Sequence, residues 1–93
     1  MVIENETGDI NIDSINKYIK INNDGGNVSI NNLVLEEDSI INNGYGDIKI
    51  GATNEIYIKS KIENGKTSIK NNNKKSDIVL DLHNKFGNIM VGN

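Results

Sequence analysis

The chain contains no cysteine, proline, tryptophan or arginine, and only four of its 93 residues are aromatic. Without cysteine there is no disulfide framework, no thiol nucleophile and no thiolate zinc site. Ten Lys and thirteen acidic residues give a net charge of -3, unlike the clustered Arg and Lys of nucleic-acid-binding domains. No stretch approaches the roughly 20 apolar residues that span a bilayer. We therefore expect no nucleic-acid partner and no direct membrane insertion.

The chain is instead rich in Asn and Ile, which supply a ten-residue phrase that recurs five times. Four of the five copies have an aliphatic residue first, Asn third and Gly sixth, followed by two aliphatic residues separated by one position. Repetition of this kind is typical of stacked solenoids. The copies begin at Ile3, Ile21, Ile41, Ile62 and Leu82, with offsets of 18, 20, 21 and 20 residues.

Each copy reads as two short strands joined by a corner. The closing Gly-x-Ile-x-Ile segment alternates apolar and polar residues, as half-buried strands do, and a second alternating run leads into the copy. Asn and Gly between them favour a tight turn because both accept positive φ. We therefore predict an all-β fold, a parallel β-solenoid of about five rungs of about 20 residues with Asn-x-x-Gly corners. The offsets are expected to be absorbed by loops at 13–18, 31–34, 51–55 and 71–77.

Parallel stacking places equivalent corner residues over one another. At a rung spacing of about 4.8 Å, Asn side chains can hydrogen-bond along the column, and we expect this column to be buried or half-buried. The predicted corner residues are Asn5, Asn23, Asn43, Asn64 and Asn84 with Gly8, Gly26, Gly46 and Gly87.

The fourth copy departs from the phrase. It carries Thr67 where the other copies have Gly, and Asn71 at its last aliphatic position. A shifted alignment uses Gly65 as the corner glycine instead. Both alignments predict a distorted rung followed by a polar loop.

An antiparallel meander is the rival architecture, since strands about ten residues apart also suit hairpins. Such a meander does not require the same residue type at the same phase in every second strand. Parallel stacking makes that requirement directly, so the solenoid is favoured.

The length predicts a single domain, residues 1–93. Because the repeats reach both ends, the chain could be a fragment of a longer protein. The lack of cysteine fits either side of a membrane. We expect the cell envelope or an extracellular location if the chain belongs to a longer exported protein, and the cytoplasm otherwise.

Gly-Asp-Ile-x-Ile units at this spacing resemble the bacterial adhesin β-strand repeat family, also described as toastrack-like. The best matches are residues 8–12, 26–30, 46–50 and 87–91. The resemblance implies a single-stranded β-solenoid, often attached to membrane-associated or envelope-stress proteins of Gram-positive bacteria. It implies no catalytic residues.

Candidate chemistry is sparse. The only histidine, His83, could be a general base or ligand with Asp81 near it, but a solvent-facing residue is favoured because no second His or Cys supports a site. Glu36–Asp38 and Lys74–Lys75 are predicted to be charged surface loops.

The residues after the corner glycines form a second predicted column. Carboxylates stacked there could hold Ca²⁺, but calcium-binding β-rolls use a nine-residue Gly-Gly-x-Gly-x-Asp repeat, so a solvated edge is favoured. The column comprises Asp9, Asn27, Asp47 and Asn88. We predict no catalytic residue, cofactor site or metal site.

Two aromatic residues, Tyr45 and Phe86, share the fifth position of the phrase. In sequence order they lie two rungs apart with Lys66 between them, which suggests a cation–π column. Packing at the corner is favoured over that column, and both rings are candidates for a surface contact.

These observations predict a non-catalytic scaffold, an adhesin or cell-envelope-associated module for binding or assembly. Its expected partner is another protein or a second copy, because solenoid ends expose unpaired strand edges. One alternative is a carbohydrate-binding β-helix module with a glycan partner. Another is an intracellular regulatory domain that senses envelope stress.

Overall fold

The part of the chain that the structure describes forms ten β-strands, which pair into five stacked rungs. The computed structural model describes residues 1–70 and 72–92, and none of these residues is helical. We call the strand pairs β1–β2 to β9–β10 the first to fifth rungs, in sequence order. The strands are β1 (Val2–Thr7), β2 (Ile10–Lys17), β3 (Lys20–Gly25), β4 (Val28–Leu35), β5 (Ser39–Tyr45), β6 (Ile48–Thr53), β7 (Tyr57–Asn64), β8 (Thr67–Ile69), β9 (Val79–Phe86) and β10 (Ile89–Val91).

All strand pairings are parallel, and they build two five-stranded sheets that face each other. The register follows the ten-residue phrase, since Ile3 lies level with Ile21, Ile21 with Ile41 and Ile41 with Leu82. Alternate aliphatic side chains from both sheets fill a continuous core between them. The predicted parallel β-solenoid of about five rungs is therefore confirmed.

The rungs do not stack in sequence order. The odd strands are ordered β1-β3-β5-β9-β7 and the even strands β2-β4-β6-β10-β8, so the fifth rung lies between the third and the fourth. At the new junctions, Ile48 N–H donates to Asn88 C=O at 2.9 Å and Tyr57 N–H donates to Ile78 C=O at 2.9 Å. The fourth rung forms one end of the stack.

Polar residues in core columns explain this position of the fourth rung. Ser60 lies level with Leu82, and Thr67 with Ile89, where the inner rungs place buried aliphatic residues. Both polar side chains are exposed at the end of the stack. In the interior they would be buried hydroxyls within an aliphatic column, which costs free energy unless each one finds a partner.

The fourth rung uses Gly65 as its corner glycine, so the shifted alignment is correct. Gly65 has φ +144°, and a Cβ there would collide with the carbonyl of Gly87. The shift places Ile62 level with Asn84, and Asn64 level with Phe86. Asn64 is exposed, so its predicted place in the buried corner column is wrong. Asn71 lies outside the described residues.

Most of the predicted loops are strands. Segments 13–18 and 31–34 lie largely within β2 and β4, and 51–53 lie within β6, because Ile15 and Leu33 are buried core residues. Residues 72–77 of the predicted 71–77 loop do lie outside strands. Two amides secure the return segments. Asn54 bonds both N–H and C=O of Leu35, at 3.1 and 2.9 Å, and Asn72 does the same at Ile58, at 2.8 and 3.0 Å.

Alanine substitution of a corner glycine tests the packing of the stack. We expect Gly46→Ala to destabilise the fold by about 1–3 kcal/mol, because Gly46 has φ +124° and a Cβ there would collide with the carbonyl of Gly26. Gly25→Ala is the control. Its Cβ would meet its nearest neighbour, Glu6 O, at 3.9 Å, so that variant should be neutral or up to about 1 kcal/mol more stable. Urea unfolding measures both, and equal losses would contradict this account of the corner.

Candidate functional site

The asparagine column is a hydrogen-bonded ladder buried at the corner. Asn5 Nδ2 donates to Asn23 Oδ1 at 3.2 Å, and Asn23 Nδ2 donates to Asn43 Oδ1 at 3.1 Å. The corner carbonyls also accept, with Asn43 Nδ2 bonding Gly26 O at 3.2 Å. Asn23, Asn43 and Asn84 are 2–4% exposed, and Asn5, on an end rung, is half-buried. The ladder therefore ties three rungs together and closes their corners.

The ladder is interrupted where the chain leaves sequence order. Asn84 Nδ2 donates to Gly46 O at 2.9 Å, but no described residue donates to its buried Oδ1. On the far side of Asn84 the column continues with Ile62, which has no polar group. An unpaired buried amide oxygen costs about 1–3 kcal/mol, so the ladder loses stability between the third and fifth rungs, where Asn43 Nδ2 bonds Gly26 O and not the Asn84 oxygen.

A second ladder follows the corner glycines, where the sequence predicted only a solvated edge. Each Asp or Asn side chain accepts the backbone N–H of the equivalent residue on the next rung. The bonds run from Asn27 N to Asp9 Oδ1 at 2.9 Å, Asp47 N to Asn27 Oδ1 at 2.8 Å, Asn88 N to Asp47 Oδ1 at 2.8 Å and Lys66 N to Asn88 Oδ1 at 3.0 Å. In the sequence, this second ladder was indicated by the Gly-Asp and Gly-Asn pairs of the phrase.

This second ladder engages the carboxylates that could have held a cation. Asp9 and Asp47 each use one oxygen as a backbone acceptor. In residues 1–70 and 72–92, no three His, Cys, Asp or Glu side chains come together in a group that could hold a metal ion.

The acidic run Glu36–Asp38 also has a structural contact. Asp38 Oδ1 accepts the Val79 N–H at 2.8 Å, which fixes the start of β9 beside the third rung. Lys74 and Lys75 form an exposed turn in the return loop.

Two exposed aromatic residues lie at the corner. Tyr45 and Phe86 lie level on adjacent rungs, and their rings stack with centroids 5.0 Å apart and planes at 4°. Tyr45 is 61% exposed and Phe86 41%. The cation–π column with Lys66 is wrong, because Lys66 lies level with Asn88, beyond the corner glycine. Insertion of the fifth rung brings the two rings together.

A polar groove of about 410 Å³ lies on the outer face of the sheet that holds the odd strands. Gly44 leaves a gap between Asp24 and Lys85, while Asn42 and Asn22 are joined by an amide hydrogen bond of 2.9 Å. His83 is exposed and lines the same groove. Gly44 and Lys85 directly precede Tyr45 and Phe86, so the groove and the aromatic pair share two strands.

Comparison with known proteins identifies no relative. No family model, no curated protein and no solved structure matches the chain. The part of the chain that the structure describes also has no helix long and apolar enough to cross a membrane.

Substitution of Asn43 tests the ladder. Asn43→Leu removes the acceptor of Asn23 and the donor to Gly26 O, and it leaves a buried amide group without its partner. We expect a loss of about 1–3 kcal/mol in the free energy of unfolding.

Asn64→Leu is the matched control, because Asn64 is exposed and lies outside the column. It should change stability by less than about 0.5 kcal/mol. Thermal or urea unfolding compares the two variants. If Asn43→Leu were as stable as Asn64→Leu, the column would not support the fold.

Proposed function

We propose that the chain is a non-catalytic β-solenoid scaffold that binds a partner through the corner formed by Tyr45 and Phe86. An adhesin-like or cell-envelope-associated module, as the sequence resemblance implies, fits this role. The observation that carries the proposal is the exposed, parallel ring stack on two adjacent interior strands.

Aromatic rings in this position favour recognition of another molecule. Tyr and Phe contribute large apolar areas to interfaces, and the Tyr hydroxyl adds a polar contact at the edge. The strands that carry both rings are interior strands of the odd-strand sheet, bonded on both sides. The rings are therefore displayed at a fixed spacing, and binding orders little further structure.

The polar residues of the phrase support a scaffold rather than a reaction centre. Asn23 and Asn43 bond to each other, and Asn27 and Asp47 hold neighbouring backbone groups. These side chains serve the stack in every inner rung, which leaves recognition to the variable positions.

A carbohydrate-binding module is the second candidate, and the groove beside Gly44 favours it. Its Asn22 and Asn42 amides can donate and accept hydrogen bonds, and Asp24 and His83 add further polar contacts. A polar trough close to an aromatic pair suits a hydroxyl-rich ligand with one apolar face.

Truncation of the two rings tests the binding role. Tyr45→Ala with Phe86→Ala should weaken retention on purified cell-wall fractions roughly tenfold or more, as expected for central aromatic contacts. Stability should change little because both rings are exposed. Tyr18→Ala, at a tyrosine with 36% exposure, is the control and should bind as the parent chain does.

A glycan array separates the two candidates. Retention by specific glycans that is lost in Asn42→Ala would favour the carbohydrate-binding module. Retention that depends on Tyr45 and Phe86 without any glycan signal would favour a protein partner. Equal retention of the ring variant and the parent chain would contradict the proposed corner.

A further inference from the structure

The two ends of the stack fit one another. Within the described residues, no strand lies beside the outer edges of β1 and β2 at one end, or of β7 and β8 at the other. We propose that copies of this chain stack head to tail, with β1 and β2 of one copy on β7 and β8 of the next. This inference goes beyond the proposed binding role and does not depend on the aromatic corner.

The backbone groups at the two ends alternate in complementary phase. In β1, the carbonyl of Met1 accepts the Lys20 N–H at 2.8 Å. The direction of the backbone groups alternates along a strand, so those of Met1 and Ile3 point towards β3, and those of Val2, Glu4 and Glu6 point away from the stack. In β7, Tyr57 N–H bonds inward to Ile78 C=O, so Ser60 and Ile62 point outward. The backbone groups alternate in the same way at the inner parallel junctions. The outward groups of β1 in one copy can therefore pair with the outward groups of β7 in another copy.

The ends also carry opposite charge. Residues 1–19, which form the first rung and its return, contain four carboxylates and one Lys. Residues 57–77, which form the fourth rung and its loop, contain six Lys and two carboxylates. Head-to-tail stacking places the acidic end against the basic end, whereas head-to-head contact would place like charges together.

Extending the observed register identifies the contacts. Lys61 lies level with His83, Asn42, Asn22 and finally Glu4 along the stack, so Lys61 of one copy would meet Glu4 of the next. Two further opposite-charge contacts follow in the same way, Lys66 with Asp9 and Lys70 with Asp13. Only Glu63 meets a like charge, at Glu6.

Apolar residues reinforce the pairing. Ile69 would cover Ile12, and both side chains are half-buried in the single copy. Ser60 and Thr67 would lie level with Ile3 and Ile10 of the next copy, so their hydroxyls make this joint weaker than the junctions between inner rungs. Asn72 occupies the outward N–H and C=O of Ile58, so the joint between copies begins at Ser60. Because the contact is heterologous, it extends into open chains of copies.

Charge reversal at each end gives a sharp test. One variant combines Glu4→Lys with Asp13→Lys, and the other combines Lys61→Glu with Lys70→Glu. All four positions are exposed. Sedimentation velocity over a concentration series should show self-association of the parent chain that weakens between low and high salt, since salt screens exposed charges. Each variant alone should have an association constant at least about tenfold lower than that of the parent chain.

An equimolar mixture of the two variants should recover association, because each then offers an end complementary to the other. Lys49→Glu with Lys85→Glu is the control. It makes the same change in net charge as the variant at Lys61 and Lys70, but at exposed positions on inner rungs, and it should associate as the parent does. The proposal fails if the parent chain stays monomeric at all concentrations, if the control weakens association as much as the end variants, or if the mixture does not recover it. None of these outcomes bears on cell-wall retention by Tyr45 and Phe86.

Discussion

In-register parallel stacking, one rung about every 4.8 Å, is the constraint on which the rest of the structure depends. It places each residue directly over its equivalent on the next rung. A column therefore needs side chains that can pack against, or hydrogen-bond to, side chains of the same type. Aliphatic residues meet this demand in the core, amides meet it by bonding to one another, and glycine meets it at corners where a Cβ would strike the next carbonyl. The ten-residue phrase satisfies all three demands at once.

The variable positions carry what distinguishes one rung from another. Ser60 and Thr67 make the fourth rung suitable for an end, and Ile62 ends the amide column there. Tyr45 and Phe86 meet only because the fifth rung lies directly on the third. Position in the stack, and not position in the sequence, therefore decides which variable residues become neighbours and what surface they present.

The phase of the phrase was enough to predict the strands beside the corners, the shared core and the buried Asn ladder, but not the extension of β2, β4 and β6 through three of the predicted loops. It could not give the order of the rungs, because every rung offers its neighbours the same backbone edges, and only the exceptions at Ser60, Thr67 and Ile62 set the fourth rung apart. Asn64 was wrongly assigned to the buried column because it occupies the Asn position of the phrase. The corner is set by Gly65, which shifts the register so that Ile62 lies level with Asn84. The ladder through Asp9 and Asp47 was missed because polar residues after a glycine resemble an ordinary solvated edge.

Insertion of the last rung changes how the molecule must reach its native state. A sequentially stacked repeat array can grow from neighbour to neighbour and be shortened from either end. Here, among the described residues, the fourth rung pairs only with the rung formed by residues that follow it, and Asn88 N–H donates to Asp47, 41 positions earlier. Such long-range closure slows folding relative to local contacts. Removal of the last two strands would take out an interior layer and leave the fourth rung detached, so this solenoid behaves as one cooperative unit and not as a modular array.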